Sequence, residues 1–166
     1  MSRHGLQLNE DVPFQRRVWR IQRIGWMAMT GLLLAALSGV FGQGWLSDET
    51  AANSSGTLWI DYERFGRWES TLALRVHVGS GASPNGTVRI RLDQDYLSNL
   101  QIEGMMPEPD STETSATAVT YVFRTTDADQ QAVITLYTKM KRFGVFTANI
   151  QAGGEPPVSF RQIIYP

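Results

Sequence analysis

Between Arg23 and Asp48 the chain carries no charged side chain: residues 24–46 form a 23-residue run whose only polar side chains are Thr30, Ser38 and Gln43. At a helical rise of about 1.5 Å per residue, such a run crosses a hydrocarbon core of about 30 Å with some tilt. Lipid offers the backbone no hydrogen-bond partners, so the run is predicted to be helical despite its five glycines. A helix buried in a protein core carries an amphipathic stripe, whereas this one is apolar on every side. A cleaved secretory signal has a shorter apolar stretch nearer the start and ends in an A-x-A-like site, which residues 42–50 lack. Arg16-Arg17 invites a twin-arginine reading, but the flanking residues fit it poorly. The expectation is a retained transmembrane helix over 24–46.

Five arginines precede the run (Arg3, Arg16, Arg17, Arg20 and Arg23), whereas beyond it Asp48 and Glu49 come before the first basic residue, Arg64. The positive-inside rule places residues 1–23 in the cytoplasm and the rest outside, in a single-pass protein of the bacterial inner membrane with a periplasmic C-terminal part. Trp26 and Trp45 bracket the span, about 28 Å apart along a helix, as interfacial anchors do. Arg16, Arg20 and Arg23 share one helical face, with Trp19 at the headgroup boundary, and such a segment attracts anionic lipid. Gly31, Ala35 and Gly39 recur every four residues, and Gln43 continues the row. Small residues at this spacing let a second helix approach closely, either another copy or a polytopic membrane protein.

Residues 47–56 are polar and predict a linker. Past it, from residue 57 to 166, the hydropathy period becomes two. Leu72, Leu74, Val76 and Val78 alternate with more polar residues, and so do Val88, Ile90 and Leu92, and Val119, Tyr121 and Phe123. With further runs at 57–62, 100–105, 132–138, 144–151 and 158–165, this gives about eight short strands over some 110 residues. The spacing predicts a mainly β domain, an antiparallel β-sandwich of immunoglobulin-like type. Residues 95–99 predict one helical turn, 126–130 a hairpin connection and 110–115 a polar loop.

The chemistry that could support catalysis is sparse. There is no cysteine, which excludes thiolate metal sites and a cysteine nucleophile, and the histidines are His4 and His77. His77 falls on the polar phase of a strand, and no G-x-S-x-G elbow supplies a serine to pair with it. Met105-Met106 could suggest copper, but adjacent strand residues face opposite ways, so core packing accounts for them better. No cofactor or metal is expected, and no enzymatic activity. Residues 47–166 carry ten basic and fourteen acidic side chains, which argues against nucleic acid as a partner. Asn53-Ser-Ser matches a glycosylation sequon, which carries no information in a bacterium.

The densest functional signal is Trp59-Ile-Asp-Tyr-Glu-Arg-Phe-Gly-Arg-Trp-Glu. It sets Trp59, Tyr62, Phe65 and Trp68 among Arg64 and Arg67 about a dozen residues past the span. Aromatics and arginine dominate interface energetics, so this stretch is a candidate partner or lipid surface.

The runs Arg20-Ile-Gln-Arg-Ile-Gly-Trp, Gly39-Val-Phe-Gly-Gln-Gly-Trp-Leu-Ser and Ile60-Asp-Tyr-Glu-Arg-Phe-Gly-Arg together resemble a family of uncharacterised bacterial single-pass inner-membrane proteins with an external β-rich domain. The resemblance covers roughly residues 16–78. It implies an accessory role in the envelope, in some cases beside a YetF-like polytopic protein, and no catalytic residues. The expected function is a non-enzymatic membrane-anchored accessory subunit. It would pack on a polytopic partner through its helix and the juxtamembrane face of its β domain. The alternative is an envelope ligand-binding or sensing module that uses the loops at 80–85 and 110–115.

Overall fold

The computed structural model describes residues 12–37, 47–80, 86–125 and 131–166, with side chains described from Arg17 onward. The chain divides into two compact units, residues 1–37 and 38–166.

The first unit holds α1 (Val12–Leu37). This helix begins well before the expected boundary at residue 24, so the basic segment and the start of the apolar run form one continuous rod. Every described side chain of α1 is exposed except that of Ala35, which is half-buried. Arg23 lies over the ring of Trp19, 4.3 Å from its centroid, a cation–π contact one helical turn long. Arg20, Trp19 and Trp26 are exposed. Among the described residues no helix is long and apolar enough to cross a membrane. The described uncharged part of α1, from Ile24 to Leu37, amounts to about 21 Å of helix. The rest of the expected span, with Gly39, Gln43 and Trp45, lies outside the described residues, as does the side chain of Arg16.

The second unit is a sandwich of two sheets. In chain order its elements are β1 (Asp48–Ala52), β2 (Leu58–Glu63), β3 (Phe65–Arg67), β4 (Thr71–Val78), β5 (Thr87–Asp93), α2 (Gln94–Asn99) and β6 (Leu100–Met106). They are followed by β7 (Ser111–Thr114), β8 (Ala118–Arg124), β9 (Ala132–Met140), β10 (Gly144–Ala152) and β11 (Val158–Tyr165). One sheet has the order β1-β2-β4-β9-β6 and the other β3-β11-β10-β5-β8-β7. All pairings are antiparallel except that of β3 with β11.

The two-residue alternation builds the core. Leu72, Leu74, Val76 and Val78 of β4 face Val88, Ile90 and Leu92 of β5 in one buried cluster, joined by Ile134, Leu136, Ile150 and Phe160. Each such side chain contributes about 1.5–3 kcal/mol on burial, which has to suffice in a domain without disulfides. Tyr96 of α2, where a helical turn was expected, closes one end of the core.

Several expectations need correction. Residues 47–56 are not simply a linker, because β1 pairs residue for residue with β2. Residues 110–115 are not a free loop, because β7 pairs with β8 along Ser111–Thr114. Residues 126–130, expected as a hairpin connection, lie outside the described residues, and the strands on either side, β8 and β9, belong to different sheets. Of the two methionines only Met105 packs against the core, and Met106 is 65% exposed. β1, β3 and β7, the strands missing from the sequence reading, are all short sheet edges whose side chains alternate weakly or not at all. Their stability comes from backbone pairing, which leaves no hydropathy signal.

Candidate functional site

The stretch from Trp59 to Trp68 does not form one surface. Along β2, Leu58, Ile60 and Tyr62 turn inward, so Tyr62 is 8% exposed, with its ring 4.4 Å from that of Phe160 in the opposite sheet. Its hydroxyl donates to Glu49 Oε2 at 3.1 Å. Burial first, then the hydrogen bond and charge of Glu49, pushes the phenol's pKa up. At Arg64 the chain leaves the first sheet and joins the second. The Arg64 guanidinium pairs with Glu49. The buried Ser47 fastens the crossing: its carbonyl accepts Arg64 N–H at 2.6 Å, and its hydroxyl donates to Phe65 O at 3.0 Å. Gly66 then runs so close over the core that a Cβ there would sit 2.8 Å from Leu72 Cδ1. Arg67 is exposed, and Trp68, 42% exposed, donates its indole N–H to Lys141 O at 3.3 Å.

Of the six expected residues, Tyr62, Arg64 and Phe65 line one groove at the corner where the chain changes sheets, whereas Trp68 lines another with Lys139 and Lys141. The fold adds partners that the sequence reading missed. Phe65 is in register with Ile163 of β11, and Ile163 with Val145 of β10, so three apolar side chains form a row across the outer face of the second sheet. Val145 is 62% exposed, and Phe143 beside it 63%. Next to this row an open groove of about 590 Å³ has Tyr62 and Phe160 among its lining, with Arg64, Phe65, Thr147, Ser159, Arg161 and Ile163. A signal for the missed residues existed: Ile163-Ile164 and Val145-Phe146 each place an apolar residue on the phase that alternation reserves for water.

Trp59 faces the other way, onto the outer surface of the first sheet, where it stacks on His77 with centroids 5.3 Å apart and rings 5° from parallel. His77 is not the exposed strand residue the sequence suggests, since its side chain is only 16% exposed. Gln131 Nε2 lies 3.0 Å from its Nδ1, and Asp61 Oδ2 lies 2.8 Å from its Nε2. An amide N–H can only donate, which makes Nδ1 the acceptor and puts the ring proton on Nε2, facing the carboxylate. The Thr50 hydroxyl donates to Asp61 Oδ1 at 2.6 Å, so it is spent on the carboxylate and does not face the imidazole. Among the described residues the arrangement orients a histidine and places no hydroxyl against its ring. Among the described residues no group of three or more His, Cys, Asp or Glu side chains could hold a metal.

Below this network Glu63 shares a groove with Asp48, Glu49 and Asp61. Burial, then the charge of Asp48, raises its carboxyl above the ordinary range. A carboxyl raised in the folded state stabilises the fold while protonated. That contribution is complete below the unfolded value of about 4.3 and is lost as pH rises through the raised value. Glu63→Gln should therefore melt with the wild type at about pH 4 and about 1–3 °C above it at about pH 7. A variant that melts lower at neutral pH would show that the carboxylate is favourably held.

No protein-family model matches this sequence, and no curated protein matches it. Among solved structures, a cohesin module from the family 33 glycoside hydrolase of Clostridium perfringens ATCC13124 is similar at 11% identity and a TM-score of 0.40. The likeness covers 70% of this chain and 98% of the module. So distant a likeness carries no argument about function, and the sandwich stands on its own sheets.

Proposed function

We propose that the protein is a non-enzymatic, membrane-anchored accessory module of the bacterial inner membrane. Its N-terminus would be cytoplasmic, and its sandwich, read as immunoglobulin-like, would lie outside. It docks on a polytopic membrane protein. The observation that carries this reading is the surface of α1. Large apolar side chains from Val18 to Leu37 are exposed all around the helix, with Leu32, Leu33 and Leu34 each near 60%. Water is a poor surrounding for such a surface, so lipid or another helix covers it. A Cβ on Gly31 would meet nothing within 4 Å, which leaves room for the close approach of a second helix at that position. The corner of Phe65, Val145 and Ile163 supports the reading. The sandwich begins there at Ser47, directly after the uncharged run ends.

The test is photocrosslinking in intact bacterial membranes from positions 35 and 145, together with protease treatment of spheroplasts. The expected results are retention in carbonate-washed membranes, external cleavage of the C-terminal part, and the same polytopic protein captured from both positions. Recovery in the soluble fraction, or capture of nothing at either position, would refute the proposal. The rival role as a ligand sensor makes a different prediction: exchanging residues 24–46 for an unrelated membrane helix would leave function intact.

A further inference from the structure

β3 covers only one end of β11. The two strands pair from Ile163 to Tyr165, and among the described residues no strand pairs with β11 before Ile163 on that side. Toward β3, Ile163 N–H donates to Arg64 O at 2.8 Å, and Tyr165 O accepts from Trp68 N–H at 2.7 Å. An extended chain turns its peptide groups the same way at every second residue, so Ser159 and Arg161 direct their N–H and C=O to this open side. The groove lies along this stretch of edge, with Tyr62 and Phe160 in its lining. Its two charged lining residues are both arginines. Arg161 is exposed and has no ion-pair partner among the described residues, and Arg64 keeps 44% of its side chain exposed although paired with Glu49. Among the described residues no carboxylate lines the groove.

We propose that this uncovered edge of β11 takes an extended acidic segment of a partner protein by strand addition. The incoming strand exchanges backbone hydrogen bonds with Ser159 and Arg161. One face of it sets a carboxylate opposite Arg161, and the other lays apolar side chains toward Tyr62 and Phe160. The remaining sheet edges offer less. β7 is flanked by the Arg89–Glu113 pair and has no exposed apolar residue, β1 ends among carboxylates, and β6 is bulged between Ile102 and Gly104 and carries Glu103. The inference is independent of where α1 resides, so its failure leaves the anchoring proposal standing.

The test uses the full chain in a mild non-ionic detergent and a fluorescein-labelled heptapeptide of alternating glutamate and valine, read by anisotropy. Saturable binding is expected. A lysine–valine peptide should not bind, nor should the acidic peptide N-methylated at alternate backbone nitrogens. R161E should weaken binding at least about tenfold. Ser159→Pro removes the outward N–H, a change an edge strand tolerates, and should weaken it similarly, whereas Ser159→Ala, which keeps that N–H, should not. Circular dichroism melts establish that each variant is folded. Equal binding of acidic and basic peptides would overturn the proposal. So would undiminished binding of the N-methylated peptide, or no saturable binding by the wild type, which would leave Arg161 as a guard against edge pairing.

Discussion

Gln162→Leu is expected to destabilise the sandwich by about 2–4 kcal/mol, although leucine is the more hydrophobic residue and the site is buried. Gln162 is 1% exposed on β11 and connects three elements. Its Oε1 accepts the hydroxyl of Tyr96 from α2 at 2.5 Å, and its Nε2 donates to Glu63 O, at the end of β2, at 3.0 Å. Tyr96 is 2% exposed, and burial alone pushes its phenol well above the ordinary range, so its hydroxyl has little recourse to water. Leucine in place of Gln162 leaves a buried donor and a backbone acceptor without partners, each at a cost of about 1–3 kcal/mol. Adding Tyr96→Phe removes the stranded hydroxyl, so the double variant should be more stable than Gln162→Leu alone. Denaturant unfolding of the full chain in detergent, followed by near-UV circular dichroism, measures both. A loss below about 0.5 kcal/mol for Gln162→Leu would show that the bridge contributes nothing net.

Asn53→Ala should cost about 2–3 kcal/mol and loosen β1 in particular. Asn53 is 8% exposed, and its carboxamide organises the β1–β2 turn. Oδ1 accepts the N–H groups of Thr57 at 3.0 Å and Leu58 at 3.2 Å, and Nδ2 donates to Thr57 Oγ1 at 3.1 Å. Gly56 adopts a φ of +69° within the same turn, a conformation open to glycine at no steric cost. The hydroxyls of Ser55 and Thr57 then donate to Glu155 Oε2, at 2.9 and 2.7 Å, tying the turn to the β10–β11 connection. Hydrogen exchange should show the β1 amides losing protection before those of β4. Asn53→Asp, which keeps the acceptor and loses the donor, should cost less than alanine. Equal protection of β1 in wild type and Asn53→Ala would refute this role. The same burial takes Asn53 out of consideration as a modification site, whatever its sequon.

The candidate site was only half legible in the chain. The concentration of aromatics and arginines at 59–68 is a local signal, and it falls where the chain passes from the first sheet to the second. It could not show that Tyr62 turns into the core, that Trp59 stacks on His77, or that Phe65 meets Ile163 about a hundred residues later. Tyr62 and Trp59 take opposite faces by the alternation of β2, with partners supplied by other strands, whereas the place of Phe65 follows from the chain changing sheets at Arg64. The change sends residues on either side of that position to different surfaces, and no local pattern encodes it. The polar segment at 110–115 shows the reverse case: its residues describe a surface correctly and conceal that the surface belongs to a strand, β7.

From the sequence alone came the order of basic segment, apolar run and β domain, the central strands, and the inward residues of β4 and β5. Burial on one face writes a period of two into consecutive residues, so that part of the fold is local information. Only the tertiary structure decided the edge strands β1, β3 and β7, the crossing between sheets, the partners of His77 and the apolar row at the corner. Edge strands are held by backbone bonds to a neighbour and are wet on at least one face, so their side chains need no pattern. A row that runs across strands joins residues distant along the chain, and their adjacency exists only once the sheet has paired.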